Sequence, residues 1–282
     1  MTERLKADRP ERLLALLRRG LPGWKRTTLE QRIRAGCVRV NGRATATNDL
    51  VAAGDDVELV DPAQAEPPPP PMPAGLRLLH DDDALVAIDK PAGLLSVSTD
   101  DERTRTALAL VRGWLSRPRA PAAVWPVHRL DRETSGVLLL AKTQEARRTL
   151  QANWSDAKKT YLALVEGRPK ANAGTIDEPL WEDENLFVHV GRHADAKEAR
   201  TRWRVLANDG QRTLVEVELD TGRRHQIRAH LAFLGHPVVG DARYGTKSAR
   251  MMLHALRLEV PHPSTGATLR IEAPAPREFR RS

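Results

Sequence analysis

One cysteine, two tyrosines and three phenylalanines are all that 282 residues hold of those types. A lone Cys37 excludes an internal disulfide and any zinc site built from several cysteines, and it suits a reducing compartment, so the expected location is the cytoplasm. No apolar run approaches the roughly 18 residues that a membrane-spanning helix needs. The opening residues Met1-Thr-Glu-Arg-Leu-Lys6 lack the apolar stretch of a secretion signal. Neither a Walker loop nor a dinucleotide-binding glycine pattern occurs, so no cofactor is expected. His225 and His230 are separated by about 140° on a helix of 3.6-residue period and share no face, so no metal is expected either.

What the chain does have is positive charge. Lysine and arginine number 45 against 37 aspartates and glutamates, a formal charge of +8. That excess points to a polyanionic partner: nucleic acid is the first candidate and a membrane surface the second, which the lack of a long apolar run or an isolated basic amphipathic segment disfavours, so no membrane is expected. A 40% apolar content suffices for a sizeable core, and the chain is expected to act as a monomer. The segment from Pro62 to Pro73 includes the unbroken run Pro67–Pro71. Such a sequence favours polyproline II, a semi-rigid spacer of about 3.1 Å per residue. It divides the chain into residues 1–61, a linker at 62–75, and residues 76–282.

In the first part, leucines at 13, 14, 16 and 17 imply a helix over Glu11–Arg18, and Leu29–Ala35 a second one closed by Gly36. Cys37–Val40 and Val57–Val60 read as strands, and Asn41-Gly42 as a tight hairpin turn. Two helices followed by this hairpin resemble the S4 RNA-binding module over about residues 11–60. Arg18, Arg19, Lys25, Arg26, Arg32, Arg34, Arg39 and Arg43 would give it a cationic face for phosphates.

The second part reads as strands with a few helices between them. Strand-like runs fall at Leu85–Ile88, Val137–Ala141, Tyr161–Val165, Phe187–Val190, Thr201–Leu206, Thr213–Leu219 and Leu269–Ile271, and helical ones at Thr106–Leu115, Gln144–Trp154 and His225–Leu234. Consecutive strands without regular crossover helices predict an α+β class with a mixed, mainly antiparallel sheet. Within it, Val127-His-Arg-Leu-Asp-Arg-Glu-Thr-Ser-Gly136 sets Asp131 between Arg129 and Arg132, a positive field that favours an ionised carboxylate. A polar turn satisfying its own backbone would have similar content.

Three further blocks accompany it: Val86-Ala-Ile-Asp-Lys-Pro-Ala-Gly-Leu94, Lys159-Thr-Tyr161-Leu-Ala-Leu-Val-Glu-Gly167, and Asp220-Thr-Gly-Arg-Arg-His-Gln-Ile-Arg228-Ala-His-Leu231. In content and order the four resemble the motifs of the RluA-type family of RNA pseudouridine synthases, over roughly residues 76–276. The resemblance implies a bent sheet with the active cleft across its middle, and conversion of uridine to pseudouridine after the nucleotide is flipped out of its stack. It implies RNA and not DNA as the partner, Asp131 as the initiating carboxylate, Arg228 as its ion-pair partner, Tyr161 stacked on the flipped base and helping to remove its C5 proton, Ile227 beneath the uracil and Arg129 as the wedge that replaces it. Lys90, Lys142, Lys158, Lys159, Arg223 and Arg224 are expected on a basic rim, while His128 and His254 are expected to be structural hydrogen bonders. Leu95-Ser-Val-Ser98 stands where many members have His-Pro, so the choice between ribosomal and transfer RNA is not inherited, although ribosomal RNA is the first expectation. A non-catalytic RNA-binding or ribosome-assembly protein retaining the fold is the alternative; binding alone needs none of Asp131, Tyr161 and Arg228.

Overall fold

A computed structural model describes residues 3–45, 49–65, 72–100, 102–116 and 121–280. The chain separates into two compact units, Met1–Pro71 and Met72–Ser282. The run Pro67–Pro71 lies outside the described residues. Pro62–Gln64, expected as extended polyproline, forms a short 3-10 turn, because the Asp61 carboxylate accepts a hydrogen bond from the Ala63 N–H at 2.9 Å.

In the smaller unit, helices Leu13–Gly20 and Arg26–Arg34 carry apolar stripes. Leu13, Leu16, Leu17, Leu29 and Ile33 are buried in one core with Val38, Val51, Val57 and Leu59. The four-stranded sheet runs Glu3–Lys6, Asp56–Leu59, Val38–Val40, Arg43–Ala44, all antiparallel. The last pair is closed by Asn41 and Gly42 at φ 50° and 80°, the left-handed pair that a two-residue hairpin requires. Strand Glu3–Lys6 was not anticipated from its charged sequence. The expected cationic face is thinner than its composition implies: Arg19 is paired with Asp8 and Glu11, and Arg26 with Glu30.

The larger unit is built on a ten-stranded sheet. Its strands are β1 (Arg77–Asp81), β2 (Leu85–Lys90), β3 (Trp125–Pro126), β4 (Ser135–Ala141), β5 (Lys158–Glu166), β6 (Ala173–Asp177), β7 (Arg200–Asn208), β8 (Arg212–Leu219), β9 (Leu253–Pro261) and β10 (Thr268–Glu272). The order across the sheet is β6-β7-β8-β5-β9-β4-β2-β1, with β10 on β9 and β3 on β4. Only β4 and β9 run parallel, over Ser135–His254 and Gly136–Ala255. The class is α+β with a mixed, mainly antiparallel sheet, and bulges at Leu78/His80, Thr160/Tyr161 and Val205/Ala207 kink its strands.

Helices α1 (Ala107–Leu115), α2 (Gln144–Ala152) and α3 (Gln226–Phe233) cover the sheet. Thr106 and Thr143 cap the first two, each accepting a backbone N–H three residues on. Strand β4 is buried throughout because both faces are covered. Val137, Leu139 and Ala141 meet Ala146 and Leu150 of α2, whereas Leu138 and Leu140 meet Ala107, Val111 and Trp114 of α1. Ile227 and Leu231 of α3 join the core formed by β5, β7 and β8. Gly136 sits at φ 112°, and a Cβ there would lie 2.2 Å from the Ala255 carbonyl oxygen. The close parallel crossing of β4 and β9, which anchors the turn before it, therefore requires glycine. No described helix is long and apolar enough to cross a membrane.

Candidate active site

The 127–134 turn enters β4 under four restraints. The Leu139 N–H donates to His128 Nε2 at 2.9 Å, which requires that nitrogen to be unprotonated. Burial, and then the charge of Lys159, hold the imidazole down to about 4, so His128 is neutral. The Ser96 hydroxyl bonds both backbone groups of Leu130, accepting at 3.0 Å and donating at 2.8 Å. The Arg132 carbonyl accepts from the Gly93 N–H at 2.8 Å and from Lys90 Nζ at 3.1 Å. Lastly, the Thr134 N–H closes on the Asp131 carbonyl at 3.2 Å. Asp131 is thereby carried on a stiff support.

Lys90 departs from the expected basic rim. It is fully buried, and its ammonium also donates to the carbonyls of Pro91 at 3.0 Å and Leu94 at 2.8 Å. Burial pulls it down to about 8 against the nearby charges of Glu133 and Asp131. Lys159 is likewise buried, its ammonium 5.8 Å from the Trp154 ring centre. These two lysines fail the expectation because flanking apolar strand residues carry them inward, where carbonyls and a ring face replace water.

Opposite Asp131, α3 begins from a turn tied down by the buried Gln226 amide. Its oxygen accepts from Thr221 Oγ1 and the Arg223 N–H at 2.8 and 3.0 Å, and its nitrogen donates to the Arg200 carbonyl and Thr201 Oγ1 at 2.9 and 3.0 Å. Two residues on, Arg228 donates from one terminal nitrogen to Asp131 at 3.1 Å. Its Nε and other terminal nitrogen clasp both oxygens of Asp241, at 2.7 and 2.8 Å. Asp241 is wholly buried and also accepts from the Arg243 and Tyr244 N–H groups. Burial would push Asp241 up, but the Arg228 hydrogen bonds and charge hold it below the usual carboxylate range. For Arg228, burial is likewise outweighed, first by Asp241 and then by Asp131, so its affinity for the proton is raised. One guanidinium thus serves two carboxylates, with the buried one fixing its plane.

All five residues singled out in the sequence line a single pocket: Arg129, Asp131, Tyr161, Ile227 and Arg228, together with Leu130, Thr134, Leu219, Arg223, His225, Gln226 and Leu253. Arg129 is exposed and makes no ion pair among the described residues, Ile227 is buried, and Tyr161 projects from the middle of β5 at the Thr160/Tyr161 bulge. Burial and the Asp131 charge raise the Tyr161 phenol, keeping it protonated. Asp241 and His225 were not expected in the site. His225 adopts φ 52°, faces Asp131 at 3.8 Å and bonds Tyr244 Oη through Nδ1 at 3.1 Å; burial holds it down to about 4, hence neutral. The signal for Asp241 was a lone acid after Val238-Val239-Gly240, a setting that predicts a buried carboxylate in need of a cation. His230 points elsewhere, to Thr201 and the Glu178 carbonyl. His254, as expected, is a buried hydrogen bonder, between Ser135 and the Ala273 carbonyl.

The arrangement offers an aimed carboxylate, a fixed cation behind it, an aromatic wall and an apolar floor. The profile of the family described as RNA pseudouridylate synthase matches residues 84–233. The chain is 36% identical over 278 residues to ribosomal large subunit pseudouridine synthase D of Nitrosomonas europaea, covering 91% of this chain and 78% of that protein. It is 33% identical to ribosomal large subunit pseudouridine synthase C of Vibrio cholerae, covering 94% and 89%. Among solved structures, human RNA pseudouridylate synthase domain containing 4 superposes with a TM-score of 0.61 at 27% identity, over 72% of this chain and 90% of that one.

Proposed function

Because the chain belongs to the RNA pseudouridylate synthase family, we propose that it isomerises uridines of large-subunit ribosomal RNA, with Asp131 initiating the reaction. The names of the relatives support the RNA class. The observation that carries the assignment of Asp131 is its placement in the pocket under Arg228, whose outer face is clamped by a buried Asp241. A binding surface for RNA has no need of a buried Arg228–Asp241 pair behind a half-buried carboxylate, which is costly to assemble, and this weighs against the non-catalytic alternative.

In this reading the target uridine leaves its stack and enters the pocket, at a cost of a few kcal/mol for unstacking. Arg129, exposed at the rim, occupies the vacated place. The uracil lies between Tyr161 and Ile227 with its ribose towards Asp131. The carboxylate then captures C1′, removes the C2′ proton or adds to the base; all three use its negative oxygen, which the Arg228 guanidinium holds in place at 3.1 Å. The N1–C1′ bond breaks, the uracil turns, C5 bonds to C1′, and the C5 hydrogen leaves as a proton while N1 takes one up. Tyr161, held protonated by burial, serves as a stacking face and not as a phenolate base.

The smaller unit is read as an S4-like RNA-binding module; its helix pair, Asn-Gly hairpin and exposed Arg18, Lys25 and Arg34 support that reading. The cytoplasm is the compartment that the substrate and the single cysteine favour, and a monomer suffices because one chain supplies every residue of the pocket. Mapping pseudouridines across total RNA from a deletion strain complemented with wild type or Asp131→Asn tests the function. A ribosomal site present only with wild type is expected. Identical maps would overturn it, and a site confined to transfer RNA would correct the substrate.

A further inference from the structure

Beside the catalytic pocket lies a second, larger one of about 690 Å³, lined by Leu180–Glu182, Val188, residues 194–197 and Gly222–Arg224. Arg223 belongs to both, so the two share a wall. The outer wall is a separate two-stranded hairpin, Leu180–Glu182 with Val188–Val190. It is held to the catalytic unit where the Val188 N–H donates to Tyr244 Oη at 3.1 Å, and Tyr244 in turn bonds His225.

On this hairpin the aromatic rings are arranged in a column. Trp181 stacks on His189 at 4.3 Å and 18°, and on His193 at 4.1 Å and 16°. Two imidazoles that close to the indole centre cannot lie side by side on one face, so they cover opposite faces. Beyond His189 the column is closed by Phe187, tilted at 4.8 Å, and Arg243 lies over Phe187. His193 meets no ring besides Trp181 among the described residues, and its side chain is 41% exposed, with the Asp195 carboxylate 3.7 Å from its Nδ1. The ring is oriented by the Asp195 N–H, which donates to its Nδ1 at 3.2 Å. A column of near-parallel rings at the surface, ending on an exposed ring beside a cavity, is not how a core is built. The Lys197, Arg223 and Arg224 side chains at the same cavity supply positive charge, although Arg224 is partly satisfied by Glu182 at 3.0 Å.

We propose that an unpaired nucleobase of the substrate RNA, next to the extruded uridine, stacks on the exposed His193 ring at the edge of this pocket, while Arg223 and Lys197 of its lining meet the phosphates. Every nucleobase has a π-face, so stacking suits RNA of any sequence, and the basic rim accounts for the preference for a phosphate-linked ligand over a free aromatic. His193 and Trp181 are then positioning residues: they set which strand geometry can deliver a uridine to Asp131, and take no part in bond rearrangement. The proposal rests on the RNA pseudouridine synthase reading of the neighbouring pocket.

The test uses the full chain with an unmodified, in vitro transcribed large-subunit ribosomal RNA, comparing wild type, His193→Ala, Trp181→Ala and Trp181→Phe. Kinetics and ultraviolet cross-linking with peptide mapping are read in parallel. Cross-links within residues 181–197 are expected, with KM raised about tenfold in both alanine variants, kcat within threefold, and Trp181→Phe near wild type. His193 is exposed, so its variant remains informative if Trp181→Ala fails to fold. Turnover with an unchanged KM in His193→Ala and no cross-link in this segment overturns the platform alone. Cross-links there without turnover uphold the platform and overturn the ribosomal substrate; neither signal overturns both.

Discussion

Arg228 and Asp241 form the supporting half of the site, and their burial makes the energetic outcome of separating them calculable. Asp241 is fully buried and Arg228 only 8% exposed. Removing one partner of such a pair leaves an uncompensated charge, at about 3–5 kcal/mol. In Asp241→Leu the guanidinium keeps Asp131 as an acceptor, so the lower figure, about 3 kcal/mol, applies. In Arg228→Met the buried carboxylate keeps only the Arg243 and Tyr244 N–H groups, so the cost is nearer about 5 kcal/mol. The double variant Arg228→Met, Asp241→Leu replaces the pair by apolar side chains and is expected within about 1 kcal/mol of wild type, far below the sum of the singles. For a unit of this size Asp241→Leu lowers the melting temperature by roughly 6–12 °C. Urea unfolding of all four proteins at pH 7, with the slope checked for constancy, measures the cycle. Activity separates from stability here. Asp241→Leu loses about a hundredfold in kcat by misaiming Arg228, and the double variant regains stability without regaining activity. A double variant as unstable as the two singles combined would refute the shared-guanidinium account.

Lys90 makes a pH prediction. Its native value, about 8, lies below the ordinary 10.5, so between these the unfolded chain binds more protons and the contribution of Lys90 to stability rises with pH. From pH 8 to 10, wild type should gain about 2 kcal/mol relative to Lys90→Met in paired unfolding curves; parallel curves would show that the ammonium is not strained by burial. Gly136→Ala sets a Cβ against the Ala255 carbonyl at a φ that L residues rarely adopt, so it should cost about 3 kcal/mol or more and lower kcat by displacing the Asp131 turn; a stable, active variant contradicts the crossing as described. Deleting residues 1–61 should weaken RNA binding more than it slows the single-turnover step, and equal affinity would remove the case for an RNA-binding module.

Asp131 stood out locally as an acid between arginines, but its role and those of Arg129, Tyr161, Ile227 and Arg228 were legible only through the content and order of the four family-like blocks. What the sequence hid is long-range. Asp241 and His225 acquire their roles only when α3 faces the Asp131 turn, and Lys90 reads as a surface cation until three carbonyls are found around it. Strand β9 was passed over although Leu256, Leu258 and Val260 alternate with Arg257 and Glu259. Its first half breaks the alternation because His254 is buried against Ser135. The histidines of the aromatic column lie eight and twelve residues from Trp181, a spacing with no helical or strand period to announce that they converge.

The central claim is that Asp131 starts the isomerisation while other groups hold the RNA. Release of tritium from an RNA transcript labelled with [5-³H]uridine reads departure of the C5 hydrogen directly. Wild type should release label and Asp131→Asn none, with RNA affinity preserved within about tenfold, since the amide keeps the shape but lacks the charge. Release by Asp131→Asn at a comparable rate, or loss of RNA binding in parallel with loss of activity, would contradict the account.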